Sequence, residues 1–200
     1  MKRFKMTPLQ IAIHIAALIP LVWLVWDFWH GNLGPDIIRE ATLRTGKAAL
    51  IMLVASLACT PINLLFKFKP ALKWRRPLGL YSFMYASIHF AIFIGVDYFF
   101  DFQLIKDALL EKRYALAGLS TGLILSALAL TSTKGWQRRL RKNWKRLHKF
   151  VYLAGILAVV HFIWLVKQGV LEPWFWAIGV AILLLLRYQP IKQRILNFSR

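Results

Sequence analysis

Long apolar runs alternate with short polar or basic segments along this chain. A helix needs roughly 20 mostly apolar residues to cross a hydrocarbon core of about 30 Å. Six runs satisfy that requirement, so the pattern predicts six transmembrane helices. They lie near residues 8–29, 46–66, 77–99, 114–133, 148–167 and 173–189. The sixth run is the shortest, and we expect it to span because tryptophans open it and Arg187 and Tyr188 can reach the interface at its far end.

The expected fold class is therefore an all-α integral membrane protein, built as a bundle of six transmembrane helices. The loops are too short to hold a second folded domain, so residues 1–200 are expected to form one membrane domain. Neither a Gly-rich phosphate loop nor a coiled-coil heptad interrupts the pattern. Any nucleotide-binding redox partner is then expected to be a separate protein.

The composition excludes an ordinary soluble globular protein, since 58% of the residues are hydrophobic and only 18% are charged. A formal charge of +19 would suggest nucleic-acid binding if it covered a soluble surface. Here the basic residues fall between apolar runs, where they indicate membrane topology and contact with lipids. No nucleic-acid partner is expected. The single cysteine, Cys59, excludes an internal disulfide and a thiolate metal cluster.

The charged residues are sorted between the two sides of the predicted six-helix arrangement. Of the 27 lysines and arginines and the 8 acidic residues, 20 basic residues and no acidic one fall on the side that holds both termini. The other side holds the remaining 7 basic residues and all 8 acidic ones. Because loops rich in lysine and arginine stay in the cytoplasm, both termini are predicted to be cytoplasmic. Five or seven helices would break this segregation.

Two histidines lie inside predicted helices, where ionisable groups are costly and are functional candidates. At 1.5 Å per residue, His89 is about 18 Å from the cytoplasmic start of the third helix, and His161 is about 20 Å from His148 in the fifth. Both helices start in the cytoplasm, so the two imidazoles reach a similar depth in the periplasmic half. This matched depth is typical of haem b ligation, which needs two neutral imidazoles on opposite faces of the macrocycle.

Two other interpretations of this pair stay open. In one, the protein is a small proton-coupled transporter in which His89, His161 and the interfacial Asp97 form a proton relay. In the other, it is an assembly subunit without a cofactor, and the histidines make structural hydrogen bonds between helices. The sequence has no inverted repeat and no pair of broken helices, which weighs against a transporter.

A second position, on the cytoplasmic side, is suggested by His148, thirteen residues before His161. On a regular helix this separation puts the two side chains about 140° apart, so either the helix deviates near its start or the two sites use different faces. The third helix offers no second histidine opposite His148. Arg75 is a poor iron ligand but a good partner for haem propionates. His14 in the first helix is the other candidate, for which a buried, hydrogen-bonded role is the favoured interpretation.

The segment 134–149 carries eight basic residues interleaved with tryptophans and leucines. This spacing predicts an amphipathic helix at the cytoplasmic interface. Anionic lipid is its favoured partner, with an acidic electron donor or a flavin phosphate as alternatives.

Five segments resemble one bacterial family, the haem-binding membrane subunit of the periplasmic protein-methionine-sulfoxide reductase system. They are 75–80 leading to His89, 131–133, 144–153 leading to His161, 30–34 and 186–188. The likeness runs over essentially the whole chain. The family belongs to the wider superfamily of ferric-reductase-like and NADPH-oxidase-like transmembrane domains.

The resemblance implies an electron-transfer subunit of the bacterial inner membrane that takes electrons from the quinone pool or from a cytosolic flavin reductase. It would pass them to a periplasmic molybdopterin enzyme, which reduces oxidised methionines in envelope proteins; the subunit does not catalyse that reduction. It also implies haem b, one or two per chain, held by histidines that match His89, His148 and His161, and flavin mononucleotide (FMN) at residues the sequence does not identify. At Arg75 a two-haem oxidase domain would carry a further histidine.

Overall fold

The computed structural model describes residues 7–188 and Gln193, and all regular structure within them is helical. Nine α-helices follow one another in this part of the chain: α1 Pro8–Trp29, α2 Ile37–Phe66, α3 Ala71–Ala91, α4 Phe102–Glu111, α5 Arg113–Leu130, α6 Lys134–Leu140, α7 Lys142–Leu147, α8 Phe150–Leu165 and α9 Glu172–Leu185. A π-helical turn, Ile92–Asp97, continues α3. Six of the basic residues used to orient the chain, and the end of the sixth predicted span, lie outside the described residues: Lys2, Arg3, Lys5, Gln189, Lys192, Arg194 and Arg200.

Five helical stretches are long and apolar enough to cross a membrane, and each contains or nearly contains one predicted span. They are Pro8–Trp29, Ile37–Phe66, Ala71–Asp97, Arg113–Leu130 and Lys142–Leu165. The chain is therefore a multi-pass helical membrane protein. The sixth predicted span corresponds to α9, which is apolar but has only 14 residues and falls short of that length.

Two helices begin earlier than the apolar pattern predicted, because their first turns carry charged residues that interrupt the pattern. α2 starts at Ile37 rather than near residue 46, where the carboxylate of Asp36 accepts a hydrogen bond of 3.0 Å from the Arg39 amide and caps the helix. α3 starts at Ala71 rather than near residue 77 and holds Pro77 inside it. The apolar pattern located the apolar parts of these two helices and did not include the turns that carry charged residues.

Four of the long helices form a bundle, and α1 and the shorter α9 lie at its periphery. α2 packs along α3, α5 packs along α8, and the two pairs meet through contacts of α3 with α5 and of α2 with α8. One core cluster, made of Leu53, Leu125 and Ala154, joins α2, α5 and α8 at the centre. α1 lies against α2 and α3, whereas α9 lies against α8 and α2.

A proline inside α2 creates the attachment point for the end of α9. Pro61 has no N–H, so the carbonyl of Leu57, four residues earlier, lacks its helical donor. The Arg187 guanidinium donates to that carbonyl at 2.5 Å and to the Tyr152 hydroxyl at 2.9 Å. Because no water is present in the bilayer core, a side chain from a neighbouring helix supplies the missing donor. Arg187 thereby links α9 to both α2 and α8.

Candidate functional site

His89 on α3 and His161 on α8 meet in the middle of the bundle, in agreement with their predicted common depth. Their ring centroids are 6.2 Å apart, and the ring planes are nearly perpendicular at 88°. Both side chains are half-buried. The two residues are 72 positions apart in sequence, so the packing of the α2–α3 pair against the α5–α8 pair is what brings them together.

A backbone carbonyl of a neighbouring helix fixes the orientation of each ring. Nδ1 of His89 lies 2.8 Å from the Thr42 carbonyl oxygen on α2, and Nδ1 of His161 lies 2.6 Å from the Tyr114 carbonyl oxygen on α5. A carbonyl only accepts hydrogen bonds, so the proton of each neutral imidazole is on Nδ1. The lone pair is therefore on Nε2 in both rings. Metal-binding histidines are commonly oriented in this way.

A glycine lets each histidine ring approach its neighbouring helix. A Cβ atom at Gly46 would lie 3.0 Å from Nδ1 of His89, and a Cβ atom at Gly118 would lie 2.8 Å from Nδ1 of His161. Each glycine is one helical turn after the residue whose carbonyl binds the ring. Only glycine leaves enough space for these two contacts.

The two halves of the site form a parallel repeat with an offset of 72 residues. Thr42, Gly46 and His89 of the α2–α3 pair correspond to Tyr114, Gly118 and His161 of the α5–α8 pair. The four non-histidine members were not predicted from the sequence. The same glycine-to-histidine spacing occurs twice in the sequence, each time followed by phenylalanine, and this signal would have found the two glycines.

The spacing of the rings fits a metal ion held between them. Two metal–nitrogen bonds of about 2 Å each, with roughly 1 Å from each nitrogen to its ring centre, would separate the centroids by roughly 6 Å. Within the part of the chain that the structure describes, no group of three or more His, Cys, Asp or Glu side chains could hold a metal ion. Two imidazoles would therefore have to share the metal with an equatorial ligand, and haem provides four nitrogens of that kind.

His148 differs from this pair in backbone and in hydrogen bonding. α7 ends at Leu147 and α8 begins at Phe150, so the expected regular helix through His148 is interrupted. The Thr131 hydroxyl donates to the Ala127 carbonyl at 2.6 Å, so it accepts the longer 3.3 Å bond from Nε2–H of His148. The ring also stacks on Trp144 at 4.0 Å. Nε2 of His148 thus has a hydrogen-bond partner, whereas Nε2 of His89 and of His161 has none within residues 7–188.

Neither of the other two candidates, Arg75 and His14, provides an imidazole opposite His148. Arg75 is exposed, its Nη1 lies 3.4 Å from the Thr60 hydroxyl, and its charge acts on His148 electrostatically. His14 instead contacts Tyr81 on α3, whose hydroxyl lies 2.9 Å from Nδ1 of His14. By the 72-residue offset, the counterpart of His148 on α3 is Arg76.

Tyr114 and Lys112 lie at the outer edge of the histidine pair. The Tyr114 ring is 6.0 Å from that of His161 in an edge-on contact. The Tyr98 hydroxyl, 3.1 Å from Nζ of Lys112, raises the pKa of this lysine, which keeps its positive charge at neutral pH. Asp97 is exposed on the same edge and has no hydrogen bond to either histidine within residues 7–188.

On the opposite side, the predicted amphipathic helix is two short helices, α6 and α7. They join at Arg141, whose positive φ of 47° breaks the helix. The Arg139 guanidinium lies 5.4 Å from the centre of the Trp136 ring. The Trp144 indole donates to the Thr131 carbonyl at 2.8 Å and connects this basic segment to His148.

Comparison with known proteins shows which family the chain matches. Residues 45–159 match a family described as ferric reductase like transmembrane component, a range that contains His89 and His148 and ends just before His161. The protein-methionine-sulfoxide reductase heme-binding subunit MsrQ of Xanthomonas euvesicatoria pv. vesicatoria (strain 85-10) is 42% identical over 178 residues, or 86% of this chain and 82% of that protein. The protein of the same name from Xanthomonas campestris pv. campestris (strain B100) is 41% identical over 182 residues, or 88% and 83%. No solved structure matches the chain.

Proposed function

This chain belongs to the ferric-reductase-like transmembrane family and, within it, to the heme-binding subunits of protein-methionine-sulfoxide reductase, and we propose that it is a haem b protein that conducts electrons across the bacterial inner membrane. Its acceptor is a periplasmic, molybdopterin-dependent methionine-sulfoxide reductase, which repairs oxidised envelope proteins. The subunit transfers electrons and leaves the reduction of methionine sulfoxide to that partner.

The observation that carries this proposal is the His89–His161 pair, with rings 6.2 Å apart and, in the described part of the chain, no hydrogen bond to either Nε2. The bound haem supplies a one-electron ferric/ferrous couple. The chain contributes two neutral imidazoles whose rings are fixed by carbonyls before the haem binds. It also provides an apolar bundle that excludes water from the haem and tunes its reduction potential.

The direction of transfer follows from a six-span topology with both termini in the cytoplasm. The charge segregation of the sequence supports it. The packing of α9 supports it as well: Arg187 bonds Tyr152 near the start of α8, while Glu172 at the other end of α9 pairs with Lys47 at 2.6 Å. α9 therefore runs antiparallel to α8 over its whole length. In this topology His89 and His161 would hold the haem in the periplasmic half, from which an electron could leave to the partner.

On the cytoplasmic side we propose FMN rather than a second haem. Arg75, where a two-haem oxidase domain would carry a further histidine, offers no imidazole opposite His148, and Nε2 of His148 is already engaged with Thr131. These residues do not fit a second bis-histidine haem. The basic segment around α6 and α7 and the nearby Arg75 suit a flavin phosphate instead. Electrons from a cytosolic flavin reductase would enter here, and the quinone pool is the alternative source.

The transporter alternative has less support. A proton relay needs His89 and His161 to reach an exchangeable group such as Asp97. Both Nδ1 atoms are instead committed to main-chain carbonyls, and the nearest ring to each histidine is the other histidine or Tyr114.

The test is to purify the wild-type protein with His89→Ala and His161→Ala variants from haem-replete cells. The wild type is expected to show the Soret and split visible bands of low-spin haem b, and each variant is expected to lose them together with reduction of the periplasmic partner. The ring planes of His89 and His161 are nearly perpendicular, so together they would favour no single direction in the plane of the haem. The ferric protein should therefore give a strongly anisotropic low-spin EPR signal. A colourless wild-type protein would refute the proposal.

A further inference from the structure

A second titratable pair lies inside the membrane and is not used by the haem site. Nδ1 of His14 on α1 is 2.9 Å from the Tyr81 hydroxyl on α3, with the two rings edge-on at 5.7 Å. Both side chains are half-buried. Polar groups at such positions are costly in the bilayer and are therefore candidates for function.

Tyr85, one turn further along α3, holds α1 to the bundle independently of this pair. Its hydroxyl donates to the Ala17 carbonyl at 2.7 Å and accepts from the Leu21 amide at 3.2 Å. Tyr85 is only 1% exposed and packs in a cluster with Ala17, Ala48 and Met52. A buried anchor thus exists beside the half-exposed His14–Tyr81 pair, which leaves that pair available to a ligand.

The surroundings of the pair are open to lipid. Ile11 and Ile15, on either side of His14 along α1, are 47% and 60% exposed. Within residues 7–188, Nε2 of His14 has no hydrogen-bond partner, so one ring nitrogen is free to bind a ligand that arrives through the bilayer. Tyr81 is eight residues before His89 on α3, which is about 12 Å along the helix axis.

We propose that His14 and Tyr81 form the binding site for a membrane-dissolved hydroquinone, the electron donor to the haem. This proposal rests on the proposed function, because a donor site has meaning only if haem is bound at His89 and His161. An apolar ring with a polar hydroxyl suits a lipid-facing position, where His14 offers a hydrogen-bonding nitrogen. In the other tautomer of His14, the Tyr81 hydroxyl donates to Nδ1 and the ring proton is on Nε2. Nε2–H can then donate to the carbonyl oxygen of the oxidised quinone.

The oxidation balances with ferric haem as the oxidant. One hydroquinone loses two electrons and two protons and becomes a quinone. The electrons leave singly, each reducing the haem iron from ferric to ferrous, and the periplasmic acceptor removes the first before the second arrives. Each proton passes from a quinol oxygen to Nε2 of His14 and from there to cytoplasmic water.

The test compares donors in the full-length, haem-loaded protein under anaerobic conditions. Haem reduction is followed optically with decylubiquinol or menadiol, with reduced FMN, and with dithionite. Loss of one hydrogen bond to the donor should slow reduction by the quinols about tenfold in His14→Ala, and by a smaller factor in Tyr81→Phe. Reduction by dithionite and by reduced FMN, the haem content and the EPR signal should stay at wild-type values.

Two controls separate binding from folding. His30→Ala removes a histidine of the outer loop and should leave reduction by quinols unchanged, whereas His14→Gln keeps a hydrogen-bonding group and should restore part of the rate. Equal quinol rates in wild type and His14→Ala would overturn the inference. The inference would also be overturned if reduced FMN, but not quinols, reduced the haem of the wild-type protein. Haem binding and the proposed function would then still stand.

Discussion

At the residue scale, the rings of His89 and His161 pack so closely against Gly46 and Gly118 that a Cβ atom on either glycine would not fit. His89 and His161 are each held between a carbonyl that accepts the Nδ1–H hydrogen bond and a glycine that the ring touches. Because His161 has the shorter carbonyl bond and the closer glycine, we expect its half of the site to be the more sensitive to substitution. The histidines were visible in the sequence, whereas their supporting residues act through backbone atoms and the lack of a side chain.

Gly118→Ala is predicted to displace His161, because its Cβ would lie 2.8 Å from Nδ1. The ring must shift and weaken its bond to the Tyr114 carbonyl, so the haem content should fall severalfold. The matched control is Gly122→Ala on the same helix, where a Cβ meets nothing within 4 Å. Since alanine favours a helix over glycine by roughly 1 kcal/mol, this control should keep its haem and its stability. Equal haem-to-protein ratios in both variants would contradict the proposed packing.

At the element scale, polar anchors between helices replace the hydrophobic driving force that the bilayer does not provide. Tyr85 joins α3 to α1 at Ala17 and Leu21, and Arg187 joins α9 to α2 beside Pro61. In both cases a side chain of one helix satisfies main-chain groups of another. The apolar pattern places such helices in the membrane but does not say which neighbours they have.

A double-mutant cycle between Arg187 and Pro61 tests this second anchor. Arg187→Ala alone should destabilise the protein by about 1–3 kcal/mol, because the Leu57 carbonyl is left without a donor. Pro61→Ala restores a main-chain N–H, so Arg187→Ala should cost less in that background. The midpoint of thermal unfolding in detergent, followed by circular dichroism, measures both effects. Strictly additive effects would mean that Arg187 does not compensate for the proline.

At the scale of the whole molecule, the proposed direction of electron transfer depends on the number of crossings. Five stretches are long enough to cross the membrane. Whether the two chain termini lie on the same side of the membrane therefore depends on whether the short α9 also crosses. α9 makes contacts at both of its ends, with Lys47 at one and Tyr152 at the other. An even number of crossings puts the basic segment of α6 and α7 and the C-terminal end of α9 on the same side.

Cysteine labelling in intact cells tests this topology. In a Cys59→Ser background, Gln168→Cys in the loop before α9 should react with a membrane-impermeant maleimide added outside the inner membrane. Gln193→Cys, beyond α9, should react only after the membrane is opened. Gln137→Cys on α6 is the cytoplasmic control. If Gln193→Cys reacted from outside as Gln168→Cys does, α9 would not cross and the six-span proposal would be wrong.

The sequence by itself determined the helical class, the apolar stretches and the common depth of His89 and His161. These properties are local: apolar length sets a span, and residue number times helical rise sets a depth. The sequence left the helix break at His148 as one of two alternatives, because a turn within a basic segment has no strong pattern of its own.

Only the tertiary structure decided which groups each histidine contacts. His89 bonds a carbonyl 47 residues away, as does His161, and His14 bonds a hydroxyl 67 residues away. Arg187 reaches a carbonyl 130 residues away that is free because of a proline. Such contacts depend on how each helix is rotated about its axis and which helices are neighbours. Burial and apolar periodicity constrain these two properties weakly in a membrane, because both the lipid and the protein interior are apolar.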